Sequence, residues 1–314
     1  MLIINLILSL MFLVILIKGA NYSIKYSSRL AKILRFPEFV VSFFIIAIIS
    51  VLPEATISII SALNGEPGLG LGTLLGSNVA DLTLVFGIVA LFSSKGIKVK
   101  SKILRDNIFC LALLLFPLIL GFDGKFSRID GLILLLAGIL FFVKIYREKS
   151  RFKKEFNHTQ KSSFLKNFLL LILSLSVLLV SAYFTVKYVV DFASSAKIPS
   201  VLIGITIVAL GTCLPELVFS IKAVRKNRYE LALGDILGTV ITDATIVLGI
   251  VALISPFEYN PMNIYITGGA MVLAGICSMI FMKTDKTINK IEGLLLILFY
   301  ILFVFVEFFM NQIG

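Results

Sequence analysis

The sequence predicts an all-α polytopic membrane protein with ten transmembrane helices in two inverted five-helix repeats. Three observations carry that prediction. The 314 residues are 59% hydrophobic with a mean hydropathy of +1.04, above the roughly half-apolar composition of soluble chains. The apolar residues come in runs long enough to cross a hydrocarbon layer of about 30 Å at about 1.5 Å per residue. A block of sequence recurs at a constant offset of 162 residues without gaps.

The runs fall at 2–20, 37–62, 69–93, 103–121, 129–146, 164–190, 199–222, 230–254, 262–282 and 291–311, leaving almost no chain for a soluble domain. The first reads as a span rather than a cleaved signal, because no basic residue precedes Lys18. Of the 29 Lys and Arg, 25 lie in alternate loops, and the intervening loops hold Lys125, Arg128, Lys187 and Lys197. The net charge of +11 is therefore topological, and nucleic acid is not an expected partner. Both termini are predicted outside a plasma membrane, with the basic 147–163 segment, which contains His158, in the cytoplasm. Cys110, Cys213 and Cys277 are scattered within the runs, with no disulfide or metal-ligand spacing.

Residues 45–93 match 207–255 at 21 of 49 positions, including "LPE" at 52–54 and 214–216 and "GIVAL" at 87–91 and 249–253. The chain thus divides into 1–146, with the repeated block at 37–93, and 164–314, with its counterpart at 199–255. Five spans per half is an odd number, so the second half enters the membrane inverted, and Lys25 and its mate Lys187 fall on opposite sides. Inverted repeats characterise transporters that bind their cargo near the midplane between the halves.

Four acids lie deep within the runs: Glu54, Asp81, Glu216 and Asp243. Each costs about 2.5–3.5 kcal/mol at a bilayer centre on insertion scales, which stability alone does not explain. A hydroxyl precedes each by four residues, in Ser50–Glu54, Ser77–Asp81, Thr212–Glu216 and Thr239–Asp243, so each pair shares a helix face. Many oxygens without nitrogen or sulfur suit a hard cation, and Ca2+ takes about six to eight oxygens in flexible geometry. Pro53 and Pro215 are expected to break their helices and free carbonyls near 47–50 and 209–212. Gly72, Gly76, Gly234 and Gly238 read as close-packing faces. Asp235, whose mate is Thr73, is expected nearer the cytoplasmic end and peripheral to the site.

"SVLPE" at 50–54 with "GSNVAD" at 76–81, and "GTCLPE" at 211–216 with "GTVITD" at 238–243, resemble the two α-repeats of the sodium/calcium exchanger family of the calcium:cation antiporter superfamily. The resemblance covers nearly the whole chain. It implies Ca2+ binding by Glu54 and Glu216. It further implies Na+ binding by hydroxyls and carbonyls at Ala47, Ser50, Ser77, Ala209, Thr212 and Thr239, with Asp81 and Asp243 completing the site. The usual first motif reads "GTSLPE"; here Ile49 and Val51 replace Gly and Ser, and Cys213 replaces Ser in the second. Both closing positions are Asp, where sodium-driven members tend to carry one Asn, so H+ stands beside Na+ as the alternative counter-ion.

The expected function is a secondary antiporter exchanging Ca2+ for Na+, with no cofactor, acting as a monomer in the lipid bilayer. By family analogy the first and sixth helices slide past the four helices that carry the site. A cation channel would not need an inverted repeat, and an organic-solute permease would want an apolar pocket with one or two polar anchors. No phosphate loop, nucleophile elbow or metal-hydrolase motif points to an enzyme.

Overall fold

Apolar runs with few breakers become helices in a medium that offers the backbone no other hydrogen-bond partner. The computed structural model describes residues 2–33, 50–93, 96–99, 108–147 and 163–313, and the described chain is 87% helical. Pro37, Ala47, Ile49, His158, most of the central basic segment, and Lys95, Lys100, Lys102 and Arg105 lie outside the described residues.

In the first half the helices are α1 (Leu2–Ile33), α2 (Leu52–Leu63), α3 (Pro67–Phe92), α4 (Ile108–Leu120) and α5 (Arg128–Arg147). In the second they are α6 (Phe164–Ala196), α7 (Ser200–Arg225), α8 (Tyr229–Ile254), α9 (Tyr265–Lys283) and α10 (Lys290–Ile313). Seven stretches are long and apolar enough to cross a membrane: Leu2–Ser23 of α1, α3, α6, α7, α8, α9, and Lys290–Met310 of α10. Helix α2 and the Phe109–Leu120 part of α4 are shorter apolar helices. Helix α5 has 20 residues and carries Arg128, Asp130 and Lys144.

The element boundaries repeat. Helices α3 and α8 start 162 residues apart and each contains a π-helical turn, at Asp81–Val85 and Asp243–Val247. Helices α5 and α10 each begin at a reciprocal cap. Ser127 N–H donates to Asp130 Oδ2 (2.8 Å) and Asp130 N–H to Ser127 Oγ (3.3 Å). Asn289 N–H donates to Glu292 Oε2 (2.8 Å) and Glu292 N–H to Asn289 Oδ1 (2.9 Å).

The two halves interlock. Strand β1 (Ile97–Lys98) pairs antiparallel with β4 (Thr287–Ile288), and β2 (Lys125–Phe126) with β3 (Phe257–Glu258). Helix α5 crosses α8 where a Cβ on Gly131 would stand 2.7 Å from the Gly249 carbonyl. Helix α10 crosses α3 where a Cβ on Gly87 would stand 2.5 Å from the Gly293 carbonyl, and both crossings use glycines that are mates at offset 162. Helices α1 and α6 run antiparallel along their length. Phe12 stacks on Phe184 with ring centres 4.7 Å apart, and Ser23 Oγ donates to Ser174 Oγ at 2.9 Å.

Burial separates a centre from a periphery. In α3 and α8 83% of the apolar window is buried, against 22% in α1 and 28% in α10. The periphery exposes large apolar side chains such as Ile3, Leu140, Leu173 and Phe305. The centre buries acids and hydroxyls. Apolar outside with polar inside is the arrangement a lipid environment selects.

Candidate functional site

The site is built where α2 and α7 are interrupted. In the first half a turn at Val51 precedes α2, which starts at Leu52 with Pro53 in its first turn, and Ala55 N–H donates to the Val51 carbonyl (2.9 Å). Helix α7 breaks at Cys213 and resumes at Leu214 with Pro215 in the equivalent place. Proline has no N–H, so Pro215 gives none to the Gly211 carbonyl four residues back. The Ala209 carbonyl accepts from Cys213 N–H and from Thr212 Oγ1, each at 3.1 Å. Its use as a cation ligand therefore requires the Thr212 hydroxyl to turn away. Each break places a glutamate, Glu54 or Glu216, in the first turn of a helix inside the protein, at the positive end of the helix dipole.

All four predicted acids are fully buried, at 0% exposure. Among the described residues, both carboxylate oxygens of Glu54, Glu216 and Asp81, and Oδ1 of Asp243, have no hydrogen-bond partner. No ion pair among the described residues joins these acids to Lys or Arg; the Lys125–Asp123 pair lies at the surface. When ionised the acids repel one another: Glu54 acts on Asp81, Glu216 and Asp243, and Asp81 acts on Glu216. Buried carboxylates in this state call for a bound cation or proton.

The predicted hydroxyls join the halves. Ser50 Oγ lies 3.1 Å from Thr239 Oγ1. Ser77 Oγ contacts Asp243 Oδ2 at 3.4 Å and donates to the Leu74 carbonyl at 3.0 Å. Thr212 lies beside Glu54. The Cys213 thiol, one residue further, donates to the Ser77 carbonyl (3.6 Å). Glycine brings these helices together: a Cβ on Gly76 would stand 2.6 Å from the Ile205 carbonyl, and one on Gly72 2.5 Å from that of Val201, as their predicted packing role requires. Among the described residues, no three His, Cys, Asp or Glu side chains form a closed metal cluster. The donors are carboxylates interleaved with neutral oxygens instead.

Asp235 lies elsewhere than expected. It is not peripheral. It is fully buried, its Oδ1 accepts from Ser50 Oγ (3.2 Å), and it repels Asp81 and Glu216. The signal was present: Asp235, Thr239 and Asp243 follow one another at four-residue steps on one face of α8. Asn78, next to Ser77, also enters the core, donating to Met271 Sδ at 3.4 Å.

Comparisons with known proteins converge on one family. The sodium/calcium exchanger protein family matches residues 4–146 and 166–309. The sodium/calcium exchanger MaX1 of Methanosarcina acetivorans is 28% identical over 98% of this chain and all of its own length. The inner membrane protein YrbG of Escherichia coli is 30% identical over 84% of each chain. The structure of the sodium-calcium exchanger NCX_Mj superposes with a TM-score of 0.70 at 27% identity, covering 96% of this chain and 98% of the other.

Proposed function

Because this chain belongs to the sodium/calcium exchanger protein family, and is thereby a cation exchanger of the membrane, we propose that it is a secondary antiporter moving Ca2+ against Na+ by alternating access. The observation that carries the reading is the pair Glu54 and Glu216. Their four carboxylate oxygens are buried and have no hydrogen-bond partner among the described residues, each at a proline-broken helix start. Ca2+ is held between them. Na+ occupies the oxygens of Ser50, Ser77, Thr212 and Thr239 and the carbonyls of Ala47 and Ala209, with Asp81 and Asp243 closing the site.

Ten spans in two inverted units, 1–146 and 164–314 joined by the cytoplasmic 147–163 segment, fit the interlocked halves. Helices α1 and α6 are mates at offset 162 and run antiparallel, as inversion requires. Strands β2 and β4 are also mates, yet they pair with different partners, β3 and β1. Loops that share a ladder share a membrane face, so each ladder joins one loop from each half. With the basic loops inside, as their charge bias favours, the termini lie outside the plasma membrane, and the proposed site is made by one chain.

Ca2+ and Na+ compete for the same oxygens, and each shifts the inward–outward equilibrium by its differential affinity for the two states. An empty pocket full of unpaired carboxylates is costly to occlude, which opposes switching without cargo. H+ as counter-ion is the second reading, favoured by the buried acids Glu54, Asp81, Glu216, Asp235 and Asp243, whose full charge of −5 exceeds that of one Ca2+. In proteoliposomes, labelled Ca2+ uptake is tested separately with an outward Na+ gradient and with a pH gradient. Uptake driven by Na+ alone supports the reading, uptake driven by pH alone replaces Na+ with H+, and uptake with neither gradient refutes antiport.

A further inference from the structure

We propose that Cys213 and Asp81, with the Ser77 carbonyl, hold a thiophilic divalent cation such as Cd2+ at one edge of the cargo pocket, where it competes with Ca2+. The competition rests on the antiporter reading, and the proposal adds to that reading a sulfur ligand that the carboxylate and hydroxyl pattern does not contain. Cys213 is one-sided: its mate at offset 162 is the buried Val51, so the first half presents hydrocarbon at the equivalent place.

The thiol stands at the break in α7, between Thr212 and Leu214, and is buried. Its Sγ donates to the Ser77 carbonyl of α3 at 3.6 Å. That carbonyl also accepts from Asp81 N–H, which leaves its second lone pair for the thiol or for a cation. The Asp81 carboxyl, one helical turn along α3 from Ser77, lies beside the thiol. Asp81 is fully buried, and neither of its oxygens has a hydrogen-bond partner among the described residues. Sulfur from one half thus meets a carboxylate and a carbonyl from the other, so the spacing around the cysteine carries no metal-ligand signal. The other two thiols lie in different company. Cys110 is near the Lys144 ammonium, which opposes a further cation, and Cys277 packs against the apolar core.

The donor chemistry selects the ligand. Thiolate favours soft and borderline cations, whereas Ca2+ and Na+ take oxygen. On binding, a metal–sulfur bond forms, the S–H bond breaks and its proton passes to water, and the S–H···O contact with Ser77 is given up. The thiolate and the Asp81 carboxylate then carry one negative charge each, which one divalent cation neutralises. Glu54 and Glu216 also act on the thiol electrostatically. A dication held at Cys213 therefore lies in the field of the proposed Ca2+ ligands and repels a second dication placed between them.

The test titrates the purified full chain in detergent with CdCl2 and follows the ultraviolet charge-transfer absorption of a cadmium–thiolate bond. The wild type is expected to develop this band and to saturate at one Cd2+ per chain, and added CaCl2 is expected to raise the half-saturating Cd2+ concentration. Cys213→Ser is expected to abolish the band, whereas Cys110→Ser and Cys277→Ser keep it. A wild type without the band, or a band that survives in Cys213→Ser, overturns the site. Should Cys213→Ser fail to fold, the double variant Cys110→Ser/Cys277→Ser, in which Cys213 is the only thiol, is expected to keep the full band, and its loss overturns the site. A Cys213-dependent band whose half-saturating Cd2+ does not move with CaCl2 upholds the sulfur ligand and counts against the shared Ca2+ pocket of the antiporter reading.

Discussion

Replacing Glu54 by Gln separates binding from stability in a way that can be worked from the structure. Both Glu54 oxygens are fully buried, with no hydrogen-bond partner among the described residues. An ionised acid at such depth costs about 3 kcal/mol on insertion scales. The amide keeps the shape and removes the charge, but an unpaired buried amide still costs about 2 kcal/mol. At a pH high enough to ionise Glu54 in the ion-free protein, the variant should thus be more stable than the wild type by about 1 kcal/mol, a rise in Tm of about 2–4 °C by the scaling of soluble domains. Ca2+ reverses the order. At 100 times its Kd, Ca2+ adds about 2.7 kcal/mol to a protein that binds it only when folded, and the variant should lose that gain. Thermal unfolding in detergent, with and without Ca2+, reads both effects. A variant that is less stable without Ca2+, or that Ca2+ stabilises as it does the wild type, refutes the reasoning.

Other outcomes follow from the same geometry. Glu216→Gln should lose Ca2+ stabilisation to the same extent as Glu54→Gln; a tenfold disparity in half-saturating Ca2+ would break the two-fold account of the pair. Gly76→Ala drives a methyl to within 2.6 Å of the Ile205 carbonyl and 2.7 Å of its Cα, so thermal unfolding should show a loss of about 1–3 kcal/mol, the usual cost of overpacking. Gly131→Ala and Gly87→Ala, at the two crossings of the halves, should each lower Tm, whereas alanine at Gly269, where a Cβ meets nothing within 4 Å, should not. Cys213→Ser replaces a soft thiol beside the Ser77 carbonyl with a hard oxygen, and the half-saturating Na+ of exchange should fall.

Much of the candidate site is legible in the sequence because its requirements are written in residue types with fixed spacing. A buried acid and a proline in an apolar run stand out singly, and the offset of 162 ties them into pairs. The four-residue hydroxyl–acid step survives in the structure because Ser77–Asp81 and Thr239–Asp243 lie on regular helix up to the acid, where the π-turn begins. The π-turns themselves were not legible: an i→i+5 turn has no residue-type signature and is decided by packing. Nor were the strands β1–β4, two residues each, whose pairing depends on which loops the fold brings together. Helix α1 runs on to Ile33, well past the apolar run 2–20, because its basic turns remain helical, with the Lys25 ammonium 5.7 Å from the rings of Tyr22 and Tyr26. The mate of Asp235 is Thr73, so repeat symmetry conceals what one half has and the other lacks.

The central claim is tested most directly by following labelled Ca2+ and labelled Na+ in the same proteoliposomes, with the membrane potential clamped. The account predicts that Ca2+ enters only while Na+ leaves, in a fixed ratio, and that Glu54→Gln and Glu216→Gln stop both fluxes together. Ca2+ entry with no opposing flux of Na+, or coupled exchange that persists in both variants, would contradict it.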